Sequence, residues 1–173
     1  MATLTSVQKF LAVVAGIPTQ ISAALTGGAA NAYQVPALNG QGQLDQTMMP
    51  TGVGPDTEVM VASEALAAGA IVNVWNNAGT QNARNADNGS VSKPAVGYSP
   101  AAVASGANAT IYFSGIISGL SGLTPGATYF LGAAGAVVLA ASLPTASGSL
   151  TQAVGVAISP TQLQFNPGLL IGN

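Results

Sequence analysis

The chain contains no cysteine and no histidine, and only eight of its 173 side chains carry a formal charge. Without cysteine there is neither a disulfide framework nor a thiolate metal site. Without histidine, the commonest general base and metal ligand is missing, and no Ser-His-Asp or Cys-His arrangement can be assembled. The basic residues are Lys9, Arg84 and Lys93, and the acidic ones Asp45, Asp56, Glu58, Glu64 and Asp87. Three scattered cations cannot neutralise a run of phosphates, so nucleic acid is not an expected partner. No apolar run approaches the ~20 residues of a membrane-spanning helix, so no membrane partner is expected either. The apolar run FLAVVAGI near the N-terminus is only eight residues long and reads against a signal peptide, despite the Ala30-Asn31-Ala32 that follows it.

Charged residues make up 5% of the chain, and there are none from Pro94 to Asn173. An ordinary soluble domain carries roughly 25%. Charge normally keeps a monomer soluble and discourages association. A chain that does without it relies on Ser, Thr, Asn, Gln and Gly, or has its surface covered by copies of itself or by a partner. Coverage is the expectation.

What is present is a change of pattern along the chain. Residues 4–15, LTSVQKFLAVVA, predict a short helix: Thr5 or Ser6 caps it, Val7, Phe10, Leu11 and Val14 form an i, i+3, i+4, i+7 stripe, and Gly16 with Pro18 ends it. Such a stripe either packs on its own domain or docks into a groove on a partner. From Asp56 onward the pattern is that of strands. TEVMVAS alternates, and AIVNVWN places Ile71, Asn73 and Trp75 on one face and Val72 and Val74 on the other. AGTQNARNADNGS reads as a polar connection. KPAVGYSPAAV, ATIYFSGII, ATYFLG, AVVLAAS, LTQAVGVAIS and TQLQFNPG follow as short strands punctuated by Gly and Pro, the spacing of sandwiches and barrels. Thr124-Pro125-Gly126 marks a type II turn, and a tight hairpin is expected around Gly135. Pro94-Ala-Val-Gly-Tyr98 and Gln152-Ala-Val-Gly-Val156 match, each with a Ser-Pro soon after, and read as two hairpins facing each other across a barrel.

The candidates for chemistry are few. Asp56 and Glu58 are spaced to share a strand face, but a paired-carboxylate glycosidase also needs a sugar-sized cleft lined with aromatics. One Trp and four Tyr, scattered, do not supply that. These two carboxylates read as a solvated strand edge that discourages wrong pairing. No Lys-Ser/Thr follows the glycines as in a Walker motif. Asn88-Gly-Ser90 and Asn108-Ala-Thr110 fit the glycosylation pattern, which matters only in a eukaryotic secretory setting. Trp75 reads as core. No enzyme activity, cofactor or metal is expected.

ALNGQGQLDQTMMPTGVG, residues 37–54, is too glycine-broken for a helix and too poor in β-branched residues for a strand. It nevertheless carries Leu44 and the pair Met48-Met49, which a free linker would not need. This stretch, followed by SEALAAGAIVNVWNNAGTQNARNADN, GLTPGATYFLGAAG and QAVGVAISPTQLQFNP, resembles tailed-bacteriophage capsid decoration (cement) and head fibre proteins. Leu38, Asn39, Gly42, Leu44, Asp45, Met48, Met49 and Pro50 occupy the positions of the connector found in such proteins. The resemblance spans about Ala37 to Pro167 and lies in the order of the motifs.

The resemblance implies an N-terminal anchor, a connector and a compact β domain that is often trimeric. The expected fold is therefore all-β: a compact β-barrel or jelly-roll-like sandwich (56–173), preceded by an extended arm (1–55) carrying one short helix. The expected role is a structural virion protein on the outer surface of the capsid, bound to the major capsid protein lattice and self-associating as a trimer. Val7, Phe10, Leu11 and Val14 are the expected capsid anchor. Leu38, Leu44, Met48, Met49 and Pro50 are the expected self-association residues, with Gly40 and Gly42 allowing close backbone approach and Met filling irregular gaps between identical chains. Alternatively, the connector straps its own β domain. A different class of function is a tail-fibre or receptor-binding module that recognises host glycan through an aromatic-lined groove; a bacterial surface adhesin is a third reading.

Overall fold

A computed structural model describes residues 9–32, 34–39, 42–49 and 56–173. The chain forms two compact units, Met1–Gly54 and Pro55–Asn173. Among the described residues the secondary structure is almost entirely strand, and the only helical pieces are 3-10 turns of three residues.

In the N-terminal unit the expected helix is replaced by a hairpin. Strand β1 (Lys9–Val14) pairs antiparallel with β2 (Ile17–Ser22), from Lys9↔Ser22 to Val14↔Ile17. The reversal is made by Ala15 (φ 51°) and Gly16 (φ 81°), both left-handed, as a two-residue turn of type I′ requires. Two local preferences override the helical stripe. Val13, Val14 and Ile17 are β-branched and lose little in an extended chain. Pro18 cannot sit inside a helix, but here it pairs with Val13, one step beyond the turn-closing pair. That is a non-hydrogen-bonded position, so its missing N–H costs no ladder bond.

The second unit begins with a closed barrel of five strands. Its members are β3 (Thr57–Ala62), β4 (Ile71–Asn77), β5 (Thr80–Asn85), β6 (Gly97–Tyr98) and β7 (Asn108–Tyr112), ordered β3-β5-β4-β6-β7 and back to β3. β3 and β5 are parallel and the other pairs antiparallel. A ring of so few strands has a narrow interior. Its core is accordingly small: Ala62, Ala83 and Ala109, filled out by Met60, Leu66, Val72 and Ile111. The expected polar connection 78–90 contains β5, which pairs with β4 through a second Ala-Gly turn, Ala78 (φ 52°) and Gly79 (φ 91°).

After β7 the chain leaves the barrel, so ATIYFSGII is two strands and not one. The second, β8 (Gly115–Ser118), belongs to a separate sheet with β9 (Thr128–Leu131), β10 (Val137–Val138), β11 (Leu150–Ser159) and β12 (Gln162–Phe165), in the order β10-β9-β11-β12-β8. β13 (Leu170–Gly172) pairs with the start of β11. The type II turn is in place: Gly126 has φ 81° and Ala127 N–H donates to Thr124 O at 3.1 Å. β9 and β10 form the hairpin around Gly135.

The inner face of this sheet meets the barrel over the larger core. Phe165, Ile117, Leu131, Leu150, Leu163 and Val154 pack with Ile71 and Tyr98 of the barrel. The expected division of β4 holds, with Ile71 in this core and Val72 in the barrel's own. Tyr98 joins the layers, its ring 5.4 Å from Phe165 and 5.6 Å from Tyr112.

The two Ala-Val-Gly segments do not face each other across a barrel: one enters β6 and the other β11. They are nevertheless tied together. The Gln152 side chain is buried, accepts from Ala95 N–H at 2.7 Å and donates to Ala95 O at 3.0 Å. It acts as a strand partner built from one side chain. Both glycines mark close backbone approach. A Cβ on Gly155 would lie 2.0 Å from Gln164 O, and one on Gly97 2.8 Å from Tyr112 O.

Candidate interaction surface

The β1–β2 hairpin displays its apolar residues on two faces. Strand alternation and the register put Phe10, Ala12, Val14, Ile17, Thr19 and Ile21 on one, and Lys9, Leu11, Val13, Pro18, Gln20 and Ser22 on the other. The expected anchor stripe is therefore split: Phe10 and Val14 share a face, Leu11 is on the opposite one, and Val7 lies outside the described residues. Leu11 is 74% exposed, Val13 71% and Ile17 65%. Val13 and Ile17 were not among the expected anchors, because a helical reading directs attention to every third or fourth residue. The signal that finds them is Ala15-Gly16, read as a hairpin turn.

The rest of the described unit has almost no interior. Ala24 and Pro36 form an isolated parallel bridge, with Ala24 N–H donating to Val35 O at 2.9 Å and Ala37 N–H to Ala24 O at 2.7 Å. Among the described residues of the unit the buried side chains are Ala23, Ala24 and Ala37, all methyl groups.

The connector is held by the segment before it. Gly27 N–H donates to Thr47 Oγ1 at 2.7 Å, and a Cβ on Gly27 would stand 2.0 Å from Thr47 O. Asp45 organises the turn: its Oδ1 accepts from Thr47 N–H at 2.9 Å and from the Thr47 hydroxyl, and Met48 N–H donates to Asp45 O. The hydroxyl bond first, then the backbone bond, hold the Asp45 carboxyl below the usual carboxylate range. Of the expected self-association residues, Leu38, Leu44 and Met49 are exposed and Met48 is half-buried. Pro50 and Gly40 lie outside the described residues.

In the β unit, features that suggested chemistry have structural roles. Trp75 is half-buried, not core. Its ring lies under the Arg84 guanidinium, 4.7 Å from the centroid, and its Nε1–H donates to Ser63 Oγ at 3.1 Å. Arg84 Nε donates to Asn73 Oδ1 at 2.9 Å and its terminal nitrogen to Ser92 O at 2.9 Å. Asn73 in turn donates to Pro94 O. The polar residues of β4 and β5 thus lace the outside of the barrel. Asn88 is buried and its backbone bonds Gly132 and Leu150, which takes the first glycosylation triplet out of play. Asp56 and Glu58 are exposed, Asp56 just before β3 and Glu58 on the part of β3 that pairs with β7 alone.

Burial, with a smaller contribution from Tyr112, raises the Tyr98 hydroxyl above its ordinary value. Among the described residues no three carboxylates are grouped to hold a metal ion. A shallow hollow of ≈ 500 Å³ lies between the loop after β8 and β10, lined by Leu120, Leu123, Val137, Val138 and a single aromatic, Tyr129. The Tyr129 oxygen there accepts from Thr124 N–H at 3.0 Å. Apolar residues are also exposed at the last strand, Leu169, Leu170 and Ile171. The chain matches no family model, no curated protein and no solved structure.

Proposed function

We propose that this chain is a structural virion protein of a tailed bacteriophage, which binds the outside of the capsid through its N-terminal arm and stabilises the assembled shell. The observation that carries the reading is the hairpin. Two six-residue strands turn Leu11, Val13, Val14 and Ile17 toward solvent, in a unit whose described residues bury only three alanines. A lone two-stranded hairpin is marginal in water and needs further strands or a packing surface. Each exposed Leu, Val or Ile is worth about 1.5–3 kcal/mol when buried, and docking against a partner would release it.

A protein that binds only the assembled lattice shifts the equilibrium toward it. Many copies, each held by a small apolar contact, sum to a large effect without any strong ion pair. The β unit, with no charged side chain from Pro94 onward, is the compact body projecting from the shell.

The test is cosedimentation of the full-length protein with undecorated capsids at low and high salt, beside a Leu11→Asp/Val13→Asp variant. Saturable binding that changes little with salt and is lost in the variant supports the proposal. Binding that survives the double substitution, or none by the unaltered protein, contradicts it.

A further inference from the structure

We infer that the free edge of β10 takes up an extended, uncharged peptide segment of a partner protein as an added strand, with one apolar side chain set into the hollow beside it. β10 ends its sheet and pairs with β9 through Val137↔Leu131 and Val138↔Phe130. One step earlier, Gly132 N–H donates to Ala136 O at 2.8 Å. The ladder bonds therefore fall at Ala136 and Val138, and Val137 occupies the non-hydrogen-bonded position between them. Its N–H and C=O point away from the sheet. Leu139 is also extended (φ -79°, ψ 162°), and its N–H points the same way. No described residue bonds to these three groups.

A short edge strand is ordinarily a protection against pairing with other chains. This edge has a prepared neighbour. The hollow of ≈ 500 Å³ separates it from the loop 119–123. Leu123 and Tyr129 belong to the large core, and Leu120 and Val137 pack against it, so the hollow is a gap at the rim of that core. In an antiparallel pairing, the partner residue opposite Val137 exchanges both bonds with it. The residue two positions earlier accepts from Leu139 N–H. Paired side chains lie on the same face of a sheet. The side chain opposite Val137 thus enters the hollow and continues the core, while its neighbours along the partner strand lie on the outer face with Val138.

Charge and geometry decide the class of occupant. None of the side chains lining the hollow is charged, and the hydroxyls at its rim, those of Ser121 and Ser142, are exposed. A carboxylate or ammonium group entering it would lose water and meet no counter-charge. A saccharide would find one aromatic ring, Tyr129, which is 5% exposed and whose oxygen already accepts from Thr124 N–H. An extended backbone matches donor, acceptor and donor at Val137 and Leu139. The main chain then supplies the affinity, and the hollow selects a single aliphatic or aromatic side chain.

This slot lies in the β unit and owes nothing to the arm, so it can fail without touching the proposed attachment. The test adds capped octapeptides of alternating threonine and valine to the full-length protein at millimolar concentration. Alternate backbone nitrogens are methylated to stop stacking, and the central valine is exchanged for leucine, phenylalanine or aspartate. Amide exchange is followed by NMR. The leucine and phenylalanine peptides should slow the Val137 and Leu139 amides severalfold and leave Val138, already bonded to β9, unchanged. The aspartate peptide, and a peptide methylated at every nitrogen, should do neither. Leu139→Pro removes one edge donor at a residue whose φ already suits proline, so the unfolding midpoint should hold while peptide binding weakens about threefold to tenfold. No slowing by any peptide, equal slowing by the aspartate peptide, or binding untouched by Leu139→Pro would overturn the assignment. Octyl glucoside filling the hollow where the peptides do not would mark a small-molecule site and overturn it as well.

Discussion

The two units are written in the same charge-poor vocabulary, yet among the described residues only the β unit builds a core from its large side chains. In the β unit Phe165, Ile71, Ile111, Ile117, Leu131, Leu150 and Leu163 are fully buried. Among the described residues of the N-terminal unit only Ala23, Ala24 and Ala37 are buried, while Leu11, Val13, Ile17, Leu38 and Leu44 face outward. Hydrophobic content does not separate the units; direction does. A side chain stabilises the fold by the apolar area it removes from water, and a methyl group removes little. The β unit leaves Val59, Leu169 and Ile171 exposed but has a core of large side chains, whereas the described part of the arm has none. On the proposed reading, that difference makes one unit a body and the other an attachment.

The contrast can be broken most severely at matched phenylalanines. Phe165→Ala should cost the β unit about 3–5 kcal/mol, the usual range for emptying a core aromatic site. The measurement is the urea midpoint of unfolding. Phe10→Ala should leave that midpoint unchanged, because Phe10 belongs to the other unit. A comparable loss from both would show that the two units share one core.

A smaller effect is expected from the clamp between the two Ala-Val-Gly segments. Gln152→Leu keeps the volume but leaves Ala95 N–H and C=O without the partners they have at 2.7 and 3.0 Å. The expected loss is about 2–3 kcal/mol, the cost of stranding buried polar groups, again read from the urea midpoint. A change within half that range would mean that water replaces the amide.

The smallest effects should come from the Ala-Gly turns at Ala15 and Ala78. Ala78→Gly relieves a left-handed alanine (φ 52°) and should stabilise the β unit by about 0.5–1 kcal/mol, raising its melting temperature by a few degrees. Ala15→Gly makes the same change in the arm (φ 51°) but should not move the melting temperature, since the described residues of that unit bury only alanines. Equal shifts would contradict the comparison.

Sequence reasoning recovered the β unit through alternation. Ile71 and Val72 fall into separate cores as their opposite faces require, and Pro125-Gly126 makes its turn. It missed β5 because Thr80-Gln-Asn-Ala-Arg-Asn has a single apolar side chain. In a narrow barrel one inward alanine suffices, and Asn73, Trp75 and Ser92 receive Arg84. It mistook the hairpin for a helix because Phe10, Leu11 and Val14 satisfy a helical stripe and a six-residue strand equally well. Only the turn distinguishes the two, and alanine is an uncommon residue at the first left-handed position. The exposed arm residues were legible as apolar, but their division between two faces follows from register. The grip of Gln152 on Ala95 joins positions far apart in sequence and left no local signal.

The most direct measurement is amide hydrogen exchange of the full-length protein, alone and bound to capsids. In the free protein, amides of the hairpin at residues 9–22 should exchange close to the intrinsic rate while those of β4 and β11 exchange only through global unfolding. Binding should slow the hairpin amides and leave β4 and β11 unchanged. If the hairpin is already as protected as β11 in the free protein, the arm is finished structure and the account is wrong.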